Sequence, residues 1–132
     1  MRRVSLLPVV LAAFLAASIA VAAGDKVTTD FQALSASGVT GKADLNPMKA
    51  GQTLVHGSLR GLSPDVEYVS LIYQDGSCTA GGPTTEVARF KGGPAGTANF
   101  NQKVDLDITA IKSISVQRVS DNALQACAPV NQ

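Results

Sequence analysis

The chain has 132 residues, 45% of them hydrophobic but only 5% aromatic, and its 11 basic and 10 acidic residues leave a formal net charge of +1. That length suits one small domain with one core. A near-neutral balance without any basic block excludes electrostatic attraction to nucleic acid or to an anionic lipid surface as the basis of function.

The N-terminus reads as an export signal. Arg2 and Arg3 form a short basic region, Val4 to Val21 is an almost unbroken apolar run, and Ala20-Val21-Ala22 supplies the small-x-small pattern that signal peptidase reads. Cleavage is expected after Ala22 or Ala23. An uncleaved anchor is the alternative, since roughly 20 apolar residues can span a bilayer, but the alanine-rich end favours removal. No cysteine follows the run to accept lipid, and the residues that usually flank a twin-arginine pair are missing. General secretion is therefore expected, with residues 1–22 as signal peptide and residues 23–132 as one secreted or periplasmic domain that is not held at the membrane. Without the two leader arginines, nine basic residues face ten acidic ones, a net charge of −1.

Seven β-like runs follow: Val27 to Leu34, Val39 to Leu45, Thr53 to Leu59, Val66 to Tyr73, Thr97 to Val104, Ile111 to Val119 and Leu124 to Val130. Turn chemistry bounds them at Asn46-Pro47, Ala50-Gly51, Gly61 with Ser63-Pro64, Asp75-Gly76, Gly81-Gly82-Pro83, Gly92-Gly93-Pro94 and Asp121-Asn122. Ala33 to Ser37 is the one stretch that could hold a helical turn. Gly81 to Gly96 reads as a long surface loop with at most one short edge strand near Val87 to Phe90. Short strands at this spacing predict an all-β sandwich or barrel rather than a parallel α/β sheet.

Period-2 alternation assigns faces. Val55, Gly57 and Leu59 share one face of their strand, and Leu54, His56, Ser58 and Arg60 the other, which leaves His56 mostly exposed. Val69 and Leu71 lie opposite Tyr68, Ser70 and Ile72. Ile114 and Val116 oppose Ser113, Ser115 and Gln117. Tyr68 and Tyr73 fall on opposite faces, so they cannot form a two-ring stacking platform.

Catalytic constellations are scarce. His56 is the only histidine, so an imidazole-rich metal centre cannot be assembled, and without a buried histidine and acid there is no Ser-His-acid triad to assemble among the plentiful serines. Asp105 and Asp107 share one strand face two residues apart and read as solvated edge charges, because no calcium-binding loop accompanies them. Gly92-Gly93-Pro94-Ala95-Gly96 lacks the lysine and following helix of a phosphate loop. In an exported chain the two cysteines, Cys78 and Cys127, read as a disulfide rather than a metal or redox pair. The bond closes a loop of about 50 residues, worth about 4 kcal/mol on the chain-entropy model, and compensates for a small core.

Several segments resemble the copper-zinc superoxide dismutase family. Gly57-Ser58-Leu59-Arg60-Gly61-Leu62-Ser63-Pro64 is similar to its Gly-x-x-x-Gly-Leu-x-Pro run, and Asp75-Gly76-Ser77-Cys78-Thr79-Ala80-Gly81-Gly82-Pro83 to the loop bearing its first bridge cysteine. Lys112 to Gln117 resembles its Arg-Ser-Val-Val-Val-His strand, and Leu124-Gln125-Ala126-Cys127 its terminal Arg-Leu-Ala-Cys segment. The match covers residues 38 to 130 in order. It implies an eight-stranded Greek-key barrel or sandwich and the Cys78–Cys127 bridge. Chordin-type domains share the glycine-leucine pattern but offer no matching cysteine pair.

The departures from that family carry the functional expectation. Aligned on Pro64, the two copper-binding histidines fall on Ser70 and Ile72, give or take one position; the loop histidine falls on Thr84, the late-strand histidine on Gln117 and the catalytic arginine near Leu124. Nothing in Arg89 to Gly96 replaces the zinc ligands. Copper and zinc need converging imidazole, thiolate or carboxylate donors, and Ser, Ile, Thr and Gln are not such a set. The expectation is an exported domain with no catalytic residues, no metal and no cofactor, which binds a protein, polymer or small ligand through its loops or through a shallow surface made by Ser70, Thr84 and Gln117 around Ile72. The alternative is a superoxide dismutase that holds metal in an atypical way.

Overall fold

The computed structural model describes residues 25–79 and 82–130; the expected signal peptide, residues 1–22, and its cleavage site lie outside them. Eight strands follow one another: β1 (Val27–Ala33), β2 (Thr40–Pro47), β3 (Thr53–Arg60), β4 (Glu67–Tyr73), β5 (Thr84–Lys91), β6 (Ala98–Val104), β7 (Ser113–Arg118) and β8 (Leu124–Pro129). Single 3-10 turns occupy Lys49–Gly51 and Ile108–Ala110.

All strand pairings are antiparallel, and the spatial order is β5-β4-β7-β8-β1-β2-β3-β6. Hairpins join β1 to β2 and β2 to β3, whereas β3 with β6 and β4 with β7 pair across long connections, the over-and-return path of a Greek key. β1 links the two halves: Val27 to Phe31 pair with β2, and Gln32 with Ala33 pair with β8. The outermost strands, β5 and β6, close toward each other, with Phe90 stacked on Phe100 at a centroid distance of 5.4 Å. The sheet is thus a nearly closed barrel, which leaves little exposed edge.

Alternation explains the core. Phe31, Leu45, Val55, Leu59, Ile72, Ile114 and Val116 project into the barrel and are buried. Gly57 sits beneath Phe100, where a Cβ would overlap the ring, so the missing side chain is what admits the aromatic.

Two sequence expectations are corrected. The Gly81 to Gly96 stretch is not mainly loop, because β5 runs for eight residues along β4. Ser70 faces Ala88 while Leu71 faces Glu86, so Val87 is an extra residue in a β-bulge that breaks the alternation of the strand. Ala33 to Ser37 holds no helical turn. Ser35 and Ala36 both adopt left-handed backbone (φ 52° and 55°), and Ser37 N–H donates to the Leu34 carbonyl at 3.0 Å. Two consecutive left-handed residues make the turn whose twist matches a two-stranded hairpin.

Candidate functional site

The barrel presents two outer faces with different chemistry. The first belongs to β4, β7 and β8, which carry Ser70, Ile72 and Gln117, positions that the superoxide dismutase resemblance aligns with metal-binding histidines. β4 is covered on both sides: Tyr68 and Ile72 join the barrel core, while Leu71 and Tyr73 belong to a second cluster with Cys78, Cys127, Leu34 and Leu124. The Cys78–Cys127 disulfide, with Cα atoms 6.0 Å apart, holds the loop after β4 against β8. Ser113 Oγ accepts from the Cys78 N–H at 3.0 Å and donates to the Asp75 carbonyl at 2.6 Å, fixing that loop a second time.

This arrangement separates the four positions Ser70, Ile72, Thr84 and Gln117. Ser70 and Ile72 are fully buried and share the interior-facing side of β4, so they do not border a surface. Cross-strand register instead puts Val69 opposite Gln117, Leu71 opposite Ser115 and Tyr73 opposite both Ser113 and Thr84. The outer side therefore carries Val69, Leu71 and Tyr73 with Gln117 and Thr84, a shift of one position from the alignment on Pro64. Gln117 Nε2 donates to the Tyr73 hydroxyl at 2.7 Å, and Ser115 Oγ lies 3.3 Å from the same oxygen. Leu124 is half-buried against Tyr73 and the disulfide. The shallow polar surface expected around Ile72 is thus replaced by a small, closed, hydrogen-bonded patch around Tyr73. Tyr68 and Tyr73 do lie on opposite faces, the former donating no such contact to this patch and instead accepting the Ser63 N–H at 2.9 Å.

The second outer face is made by β1, β2, β3 and β6. On β3, Val55, Gly57 and Leu59 are buried while Ser58 and Arg60 are exposed, as alternation requires; His56 is half-buried on the outer side. Pairing assembles rows across four strands: Thr28, Asp44, His56 and Asn101 form one, and Asp30, Lys42, Ser58 and Asn99 the next. Residues directly opposite on one face have Cβ atoms about 5 Å apart, so His56, isolated in sequence, has a carboxylate neighbour in space. Asp44 in turn accepts from Thr28 Oγ1 at 2.7 Å.

An open depression of about 690 Å³ occupies this face, bordered by Asp30, Lys42, Ser58, Arg60, Thr97 and Asn99, with Phe31, Gly41 and Leu59 beneath. Arg60 Nε donates to Thr40 Oγ1 at 3.2 Å. Neither Arg60, Lys42 nor Asp30 forms an ion pair among the described residues. The depression can therefore present two cations, one carboxylate and several neutral donor-acceptors to a ligand. Alternation along Thr40-Gly41-Lys42-Ala43-Asp44 marks Lys42 as outward-facing, but the approach of Asn99 depends on the non-sequential β3–β6 pairing, which no local pattern encodes.

Asp105, Asp107, Arg118 and Asp121 have structural employment. Asp105 and Asp107 do not share a strand face, because β6 ends at Val104. Asp105 accepts from Gln52 Nε2 at 2.6 Å, and Asp107 caps the 3-10 turn by accepting from Thr109 N at 2.9 Å. The Thr109 backbone and side-chain hydrogen bonds hold the Asp107 carboxyl below its ordinary value. Arg118 grips Asp121 through two hydrogen bonds of 3.0 and 2.7 Å, and this grip, aided by the Ala123 N–H, lowers the Asp121 carboxyl to about 2. Among the described residues no three His, Cys, Asp or Glu side chains converge as a metal site would require.

No protein-family model matches the chain, and no curated protein matches it.

Proposed function

We propose that the chain is an exported, non-catalytic β-barrel domain of superoxide dismutase-like ancestry that serves as a binding module of the cell envelope or extracellular space. The observation that carries this reading is the outer face of β4 and β7. In either alignment register the positions of the copper-binding histidines are non-ligating: Ser70 and Ile72 are enclosed in the core, and Val69 and Leu71 lie on a face whose polar groups, Tyr73 and Gln117, already bond to each other. Copper held for redox cycling needs converging imidazoles, and His56 stands on the far half of the barrel, on β3. Eight antiparallel strands with Greek-key crossings support the family resemblance, and a buried disulfide is compatible with the oxidising compartment that export implies. The open polar depression on β1, β2, β3 and β6 supplies a recognition surface.

Elemental analysis and a superoxide dismutation assay on protein purified from the periplasm or medium test the reading. The expected result is far less than one copper or zinc per chain and no dismutation. A stoichiometric, tightly held copper with chelator-sensitive dismutation would establish the atypical enzyme instead.

A further inference from the structure

The depression on the outer face of β1, β2, β3 and β6 has a composition that selects among ligand classes, and we infer that it takes a uronic-acid-type saccharide: a hydroxyl-rich ring or chain carrying a carboxylate. The inference rests on the proposed binding role and adds the ligand's chemistry.

Lys42 and Arg60 border the depression and form no ion pair among the described residues; Asp30 stands opposite Lys42 in the β1–β2 register and offsets part of its charge, so Arg60 is the cation more available to an anionic group. Arg60 is already oriented by its bond to Thr40, which leaves the rest of its planar fork for a carboxylate. The remaining border is neutral and two-sided. Ser58 and Thr97 hydroxyls and the Asn99 amide each donate and accept, as the hydroxyls of a sugar do. Asp30 is an acceptor only, and sugar hydroxyls can donate to it, which a run of acidic side chains without hydroxyls cannot do.

Topology limits where a peptide could add. A peptide captured in extended form pairs with a free strand edge; β2 and β3 have hydrogen-bonded neighbours on both sides and the free side of β6 turns toward β5, so edge pairing is confined to Val27 to Phe31 of β1, which pair with β2 alone while β8 takes Gln32 and Ala33. Over β2, β3 and β6 this face offers side chains alone, on an open, shallow floor.

Polygalacturonate, neutral dextran and poly-glutamate separate the possibilities in titration calorimetry on the exported protein. Polygalacturonate is expected to bind, and binding should weaken as salt is raised, because the charges are exposed. Arg60→Ala and Lys42→Ala should each weaken it about tenfold, the order expected for a hydrogen bond to a charged group, while Lys103→Ala, outside the depression, should not. Asp30→Ala should also weaken binding, since it removes an acceptor for hydroxyls. The variants are at exposed positions, and unchanged thermal unfolding would show that they fold. Absence of polygalacturonate binding overturns the inference, as does equal or tighter binding of dextran or poly-glutamate. Tighter binding by Asp30→Ala overturns the hydroxyl-recognition argument. None of these results bears on metal content or dismutation, so the saccharide assignment can fail while the non-catalytic reading stands.

Discussion

Removing the disulfide should cost this fold as much as truncating a large buried core side chain. Cys78 and Cys127 are 49 positions apart, and both are buried. In the chain-entropy model a loop of about 50 residues contributes about −14 cal/mol/K to the unfolded state, which corresponds to about 4 kcal/mol at 25 °C. With an unfolding entropy of about 2.1 cal/mol/K per residue over about 105 ordered residues, that loss lowers Tm by roughly 15 to 20 °C. The structure adds a local term, because the sulfurs pack with Leu34, Leu71, Tyr73 and Leu124, and Cys78 N–H bonds to Ser113. A Cys78→Ala, Cys127→Ala double variant avoids leaving a reactive thiol. Its unfolding should be followed by circular dichroism against both temperature and urea. The urea dependence should steepen as well, since an uncrosslinked chain exposes more surface when unfolded. A Tm loss under about 5 °C, with an unchanged urea slope, would refute the claim that loop closure dominates.

Ser70→Ala should stabilise the protein by about 1 kcal/mol, because the Ser70 hydroxyl is fully buried without a hydrogen-bond partner among the described residues and such a group costs about 1 to 3 kcal/mol; a clear loss of stability in chemical denaturation would contradict this. Gly57→Ala should destabilise by about 1 to 3 kcal/mol, as a Cβ would meet the Phe100 ring that is stacked on Phe90, and a neutral denaturation midpoint would show that the ring yields freely. Asp121, with its carboxyl lowered to about 2 from an ordinary 3.8 by Arg118, stabilises the fold above the ordinary value and loses that contribution as pH falls from about 4 toward 2; carboxyl-carbon NMR should find its midpoint near 2 and moving upward in Arg118→Gln. Exported material should begin at Ala23 or Gly24, and an intact mass that retains Met1 to Ala22 would favour an anchored chain.

What the sequence discloses about this fold follows from how many sides of each strand meet water. β3 has one wet face, so its apolar and polar residues alternate and its orientation is legible from Thr53 to Arg60. β4 is covered on both sides, by the barrel core and by the disulfide loop. Its apolar residues run on through Tyr68, Val69, Leu71, Ile72 and Tyr73, and alternation then separates two faces without saying which is inside. That ambiguity is why a one-residue shift in the alignment on Pro64 exchanges Ser70 and Ile72 for Val69 and Leu71, since each single step along a strand exchanges its faces. β5 was obscured for the opposite reason: Thr84, Thr85, Glu86, Arg89 and Lys91 are polar, and the bulge at Val87 interrupts the period.

The site follows a different logic from the strands that carry it. Outward placement of Ser58 and Arg60 needs only local alternation, but their company is fixed by pairing over distance: Ser58 meets Lys42 across a hairpin and Asn99 across the β3–β6 crossing. The same geometry gives His56 a carboxylate neighbour in Asp44 that its own sequence surroundings do not contain. Since β6 reaches β3 only after the chain has laid down β4 and β5, the charge and hydrogen-bonding character of the depression is a property of the Greek-key order. A change confined to β6, such as Asn99→Ala, should therefore alter ligand recognition while leaving Arg60 and Lys42 in place, and would separate the contribution of topology from that of the two cations.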